Sequence, residues 1–91
     1  MKKQRTSRVL LFGKLRSFSP RGELHVTTTA DMTPQQLREV VAGELATLSQ
    51  NFTGVQELNS SAVVQGERVL TERDNLGDGT EFALLPPVCG G

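Results

Sequence analysis

The chain has no tryptophan and no tyrosine, and only four phenylalanines, one cysteine and one histidine among its 91 residues. A single cysteine excludes an internal disulfide and suits a reducing compartment. A single histidine, His25, completes neither a catalytic triad nor a metal set; on an outward strand position it reads as a solvated side chain. Charge of one sign is also missing. Ten basic and ten acidic residues cancel, so no strong field recruits nucleic acid or an anionic membrane. Lys2, Lys3, Arg5 and Arg8 make the start basic, but no aromatic or glycine-rich nucleic-acid motif accompanies them, and they read as a solvated, mobile tail. Long hydrophobic runs are absent as well: Val9 to Phe12 is stopped by Lys14 and Arg16, too short for a secretory core or a membrane span. A soluble, cytoplasmic protein is expected, in which the sequon matches Asn51-Phe52-Thr53 and Asn59-Ser60-Ser61 carry no meaning.

What is present suits one small domain, residues 1–91, able to bury about 60–65% of the surface its unfolded chain exposes. That leaves little room for a deep active site. Arg8-Val9-Leu10-Leu11-Phe12 reads as a first strand and Glu23 to Thr29, rich in β-branched residues, as a second. Leu15-Arg16-Ser17-Phe18 suggests a helical turn between them, broken by Pro20 and Gly22. Thr33 as N-cap, Pro34 at the first helical position and Gln36 completing a capping box start a helix expected to run to about Leu48. Its apolar side is Leu37, Val40, Val41, Leu45 and Leu48, with Gly43 off the stripe. Residues 49–61 are mostly polar, with Phe52, Val55 and Leu58 expected to tack a loop or short helix onto the core. Ala62 to Gln65, a Gly66-Glu67 turn and Arg68 to Leu70 form a short hairpin, and Glu81 to Leu85 a last strand. One helix covers one face of a small sheet, so the expected fold is α+β: a mixed sheet wrapped around one main helix, the β-grasp or ubiquitin-like arrangement.

Two features point outward from that core. With Val9 and Leu11 facing the helix, Leu10 and Phe12 must face away; with Phe82 and Leu84 inward, Leu85 faces away. In a β-grasp sheet the first and last strands are central neighbours, so Leu10, Phe12 and Leu85 form an exposed apolar patch of the kind that marks a partner interface. The second feature is the ending, Pro86-Pro87-Val88-Cys89-Gly90-Gly91. Two prolines fix φ and donate no amide hydrogen, so the stem is stiff and leaves the sheet. Two glycines have no side chains, so the tip is free to thread a narrow channel and bring the α-carboxylate of Gly91 to another protein's reactive atom. The flexible tail is therefore 86–91. Asp74, Asp78 and Glu81 lie close in sequence without an EF-hand spacing, and Gly77-Asp78-Gly79 reads as a tight turn.

Two segments, Val9-Leu10-Leu11-Phe12-Gly13-Lys14-Leu15-Arg16 and Leu76 through Gly91, resemble the small subunit of molybdopterin synthase and the related ubiquitin-like sulfur carriers. The order of elements between them agrees. Two residues depart from the family pattern: Cys89, where serine or threonine is more usual, and Thr80, where the family has Asp. The resemblance implies that Gly91, presented behind Gly90, is adenylated by a separate E1-like activating enzyme and converted to a thiocarboxylate. Sulfur would come from a donor such as a cysteine desulfurase or rhodanese. The carrier would then dock on the large subunit of molybdopterin synthase and give its sulfur to a pterin precursor, in molybdenum cofactor biosynthesis. By the same likeness Leu10, Phe12, Leu85, Pro86, Pro87, Val88 and Cys89 contact partners, and Arg16 meets an acidic residue of the activating enzyme. No metal or cofactor is implied for this chain. ATP and magnesium belong to the activating enzyme, and Gly13-Lys14 lacks the spaced glycine and following Ser/Thr of a phosphate loop. Cys89 reads as a small substitute for serine, with a reactive thiol the competing role. Carriers for thiamine or another sulfur metabolite, and ubiquitin-like protein modifiers, share the same features and remain alternatives.

Overall fold

A computed structural model describes residues 4–19, 21–49 and 54–86. The strands are β1 (Gln4–Leu11), β2 (Glu23–Thr29), β3 (Ala62–Gln65), β4 (Arg68–Leu70) and β5 (Glu81–Leu85); the helices are α1 (Pro34–Leu48) and α2 (Val55–Asn59), with a 3-10 helix at Gly13–Phe18. They form one five-stranded sheet in the order β2-β1-β5-β3-β4. The first and last strands are central neighbours and run parallel, while every other pairing is antiparallel. This is the expected mixed sheet around one main helix. Phe52, Lys2, Lys3, Pro20 and the tail residues Pro87, Val88, Cys89, Gly90 and Gly91 lie outside the described residues.

Helix α1 starts for the reason the sequence suggests. The Thr33 hydroxyl accepts from the Gln36 amide at 3.2 Å, the Gln36 carboxamide accepts from the Thr33 amide at 2.9 Å, and Pro34 follows the cap. Leu37, Val41 and Leu45 are fully buried, and Val40 packs against the core from its margin. Leu48 does not join them: it is 54% exposed. The last turn of α1 lies over the outer edge of β2, beside Leu24 and His25, where the described residues supply no further strand to cover it. Val55 is likewise exposed, at the first position of α2, and Leu58 alone carries that helix into the core.

Strand β1 begins four residues earlier than expected and ends at Leu11 rather than Phe12. Gln4 to Ser7 pair with Thr29 to Val26, so Arg5 belongs to the sheet, as expected of Arg8, rather than to a mobile tail. Inner-facing Arg5 bridges to the turn before β5, donating to the Gly77 carbonyl and pairing with Asp78. Between β1 and β2 the inner face carries two buried hydroxyls, Ser7 and Thr28, which satisfy each other at 2.6 Å. Arg38 of α1 is the least expected buried residue. Its guanidinium donates to the Ser61 carbonyl at 3.0 Å, to Gln35 at 3.1 Å and to Glu72 at 2.9 Å, tying the helix to the α2–β3 junction. None of the helices in the described residues is long and apolar enough to cross a membrane.

Candidate functional site

Strand parity puts the core on one face of the sheet and a different set of apolar side chains on the other. Val9, Leu11, Phe82 and Leu84 are buried beneath α1. Their alternates face away: Leu10 and Ala83 are half-buried and Leu85 is 41% exposed. Phe12, just past β1 but still extended at φ −130 and ψ 164, keeps the same parity and is 39% exposed. The sheet register extends the patch beyond what was expected. Leu10 stands opposite Ala83, Ala83 opposite Val64, and Val64 opposite Val69, so an apolar row crosses four strands on the outer face. Val69 ends that row at 58% exposure. Leu85 lies one pleat further along, opposite Ala62.

A charged row bounds the patch. Arg8 bonds Glu23 at 2.7 Å and Glu81 at 3.4 Å, with His25 at 3.7 Å from Glu23 and opposite Arg8 in the register. The hydrogen bond from Arg8 holds the Glu23 carboxyl below the usual carboxylate range and raises Arg8 itself. All of these groups are surface groups in contact with water, so the network marks an edge rather than a reactive centre. His25 is solvated, as expected. Asp74 is a turn-former: it accepts from the Thr71 amide at 2.7 Å and pairs with Arg68, which lowers its pKa through the Thr71 bond first. Asp78 and Glu81 pair with different arginines, and no group of carboxylates, histidines and cysteines able to hold a metal is present among the described residues.

The root of the tail is built where the two central strands end together. Leu11 and Leu84 are register partners, and two residues beyond each stand Gly13 and Pro86. Gly13 has φ +62, and a Cβ on it would lie 3.2 Å from Pro86 Cγ. Pro86 is thus seated on the turn that follows Phe12, immediately after exposed Leu85. Arg16 lies on the far side of the same turn. It lines a shallow concavity of about 580 Å³ with Gly13, Ser17, Ser19, Arg21 and Gly22. Gly22, at φ +69, lets the Arg16 side chain lie over it, since an added Cβ would approach Arg16 Nε to 2.9 Å. Neither Arg16 nor Arg21 lies within ion-pair distance of a carboxylate among the described residues, although Arg21, after Arg8, helps lower the Glu23 pKa from further off, whereas neighbouring Lys14 pairs with Glu57 at 3.3 Å. Glu57 is pushed below the usual carboxylate range, first by a backbone hydrogen bond and then by Lys14.

This architecture has counterparts among solved structures. SAMP1 from Haloferax volcanii superposes with a TM-score of 0.67 at 25% identity, over 96% of this chain and 100% of that one. A ubiquitin from Caldiarchaeum subterraneum superposes with a TM-score of 0.57 at 13% identity, over 98% of this chain and 100% of that one. The fold is ubiquitin-like. The H. volcanii small archaeal modifier protein 1 agrees, with a TM-score of 0.66 at 22% identity over 91% of this chain and 98% of that one. No protein-family model and no curated protein sequence matches the chain.

Within the ubiquitin-like fold, Leu10, Phe12, Leu85 and Pro86 gather at one end of one sheet face, and Arg16 stands beside the tail root rather than on that face. Gly90, Gly91 and the residues Pro87, Val88 and Cys89 expected to contact partners fall outside the described residues. Sequence reasoning missed Ala83, Val64 and Val69, because the facing pairs follow from inter-strand register, which no single segment encodes. It also missed Arg21. A second cation five residues after Arg16 becomes its neighbour only once Gly22 has turned the chain back.

Proposed function

We propose that the chain is a ubiquitin-like carrier whose C-terminal Gly91 carboxylate is activated by a separate adenylating enzyme and becomes a thiocarboxylate. The observation that carries this reading is the placement of Pro86: seated on Gly13, directly after Leu85, it starts the Pro87-Val88-Cys89-Gly90-Gly91 segment at the edge of an exposed apolar face. A partner that grips the face receives the tail at a defined point. Carboxylates are poor electrophiles, so a carboxylate oxygen of Gly91 must first bond to the α-phosphorus of ATP, expelling pyrophosphate. A sulfur nucleophile then displaces AMP. The exposed guanidiniums of Arg16 and Arg21 offer an acidic surface of the activating enzyme a place to dock beside the tail root. In the finer form of the proposal the acceptor is a pterin precursor held by the large subunit of molybdopterin synthase. Gly91 then supplies sulfur as the nucleophile, while the catalytic side chains sit on the partner.

A second reading has its own support. One of the structural counterparts is a small archaeal modifier protein, and in a protein modifier the activated Gly91 would join lysines of target proteins through isopeptide bonds. Intact-mass analysis of the chain purified from its own cells separates the two. Replacement of a terminal oxygen by sulfur supports the carrier, and isopeptide adducts support the modifier. Removing Gly91 should leave fold and patch binding intact and abolish both products, because one residue spans about 3.3–3.6 Å, more than in-line attack tolerates. Product formation at the native rate by the truncated chain would refute both readings.

A further inference from the structure

Four glycines among the described residues have positive φ, and Gly13 is distinctive in what stands over it. Its φ of +62 already disfavours a side chain, and an added Cβ would meet Pro86 Cγ at 3.2 Å, Cδ at 3.7 Å and Cβ at 3.8 Å. At Gly77 the backbone is alike, with φ +68, but nothing lies within 4 Å of an added Cβ. Gly13 is therefore subject to a second requirement that Gly77 does not have. Pro86 has no amide hydrogen and lies past the last residue of β5, so no ladder hydrogen bond from its own nitrogen orients it. Its close approach to Gly13, over the place where a side chain would stand, takes that role.

We propose that Gly13 is a positioning residue for the C-terminal segment: it is the seat on which Pro86 rests, and the seat fixes where Pro86, the root of that segment, stands on the domain. This rests on the reading of Gly91 as the carboxylate an activating enzyme adenylates. The register explains why the seat is where it is. Parallel pairing of Leu11 with Leu84 carries both chains to the same end of the sheet, and Gly13 and Pro86 are each two residues further on. A side chain at 13 forces Pro86 outward by a few tenths of an ångström. Because Pro86 precedes another proline, its own backbone is restricted to extended conformations, so the shift is not absorbed at residue 86 itself. Pro86 is the point from which the segment ending in Gly91 departs, so displacing it moves the root from which the carboxylate is presented, enough to slow a reaction that depends on alignment.

The test is ATP–pyrophosphate exchange by the full-length chain with its activating enzyme, measured against carrier concentration. Gly13→Ala should lower kcat at least about fivefold with KM changed less than about twofold, since the apolar face that docks is untouched. Gly77→Ala, with matching backbone strain and no contact, should leave both constants near wild type while its melting temperature falls as much as that of Gly13→Ala. Gly13→Asn, which tolerates left-handed φ but still carries a Cβ, should reproduce the kcat loss in a chain of better-preserved stability. Pro86→Ala removes Cγ and Cδ, and in that background Gly13→Ala should cost less than about twofold. Exchange by Gly13→Ala equal to that of Gly77→Ala, or an undiminished loss in the Pro86→Ala background, would overturn the positioning role alone. Absence of exchange by the wild-type chain would overturn the activation reading and the positioning role with it.

Discussion

Strands β1 and β5 present two faces made from alternate residues of the same short segments, and the two faces behave as different materials. On the inner face Val9, Leu11, Phe82 and Leu84 are at most 1% exposed and locked beneath Leu37, Val41 and Leu45. On the outer face Leu10, Ala83 and Leu85 are just as apolar in kind, yet no element of the described chain covers them, and a charged row of Arg8, Glu23, Glu81 and His25 borders them. Burying the second face would require a second layer, and a chain with one long helix has only enough structure for one. The lesson is that apolar residues in this sheet divide into those that hold the fold together and those that remain available to another molecule. Sequence distance between the two classes is one residue.

The comparison is broken most forcefully at positions 84 and 85. Leu84→Ala should destabilise the domain by about 2–5 kcal/mol, by removing buried volume from a site with no room to relax. Its neighbour Leu85→Glu should change stability by less than about 0.5 kcal/mol while abolishing binding to the partner. Chemical denaturation and a binding titration on both variants check this, and a stability loss at 85 comparable to that at 84 would erase the distinction between the faces. A smaller effect comes from the outward side of the helix. Gly43 has no atom within 4 Å of an added Cβ, so Gly43→Ala should stabilise the domain by about 0.5–1 kcal/mol without altering activity, read as a rise in melting temperature.

The smallest effect is electrostatic and belongs to carboxylates at the surface, one of them on the border of the outer face. Glu23, Glu57 and Asp74 all have depressed pKa values in the folded state, so the unfolded chain takes up protons first on acidification. Their contribution is complete above the ordinary carboxylate range near pH 4 and is lost as pH falls through the lower, folded values. Melting temperature should therefore be flat from pH 7 to about 5 and decline below it. In Glu23→Gln the decline should be shallower, because the carboxylate paired with Arg8 no longer titrates.

Much of the fold was legible because its signals are local. The capping box at Thr33, the period of Leu37, Val41 and Leu45, and the alternation of β1 and β5 each rest on residues within a few positions of one another. The errors arose where the outcome depended on distant partners. Leu48 fits the helical period but lies over the edge strand, where nothing covers it. Arg5 looks like part of a basic tail until β2 is placed beside it. Arg38 is charged and buried, because Ser61, Gln35 and Glu72 converge on it from three parts of the chain.

For the candidate site the division is the same. By itself the sequence determined the composition of residues 86–91 and the outward parity of Leu10, Phe12 and Leu85, since these follow from covalent structure and the two-residue repeat of a strand. Tertiary structure alone decided that Val64 and Val69 continue the apolar row, that Arg21 joins Arg16, and that Gly13 seats Pro86. Those pairings bring together residues up to 73 positions apart through sheet register and chain reversal, and register is a property of how strands meet, which neither strand carries alone.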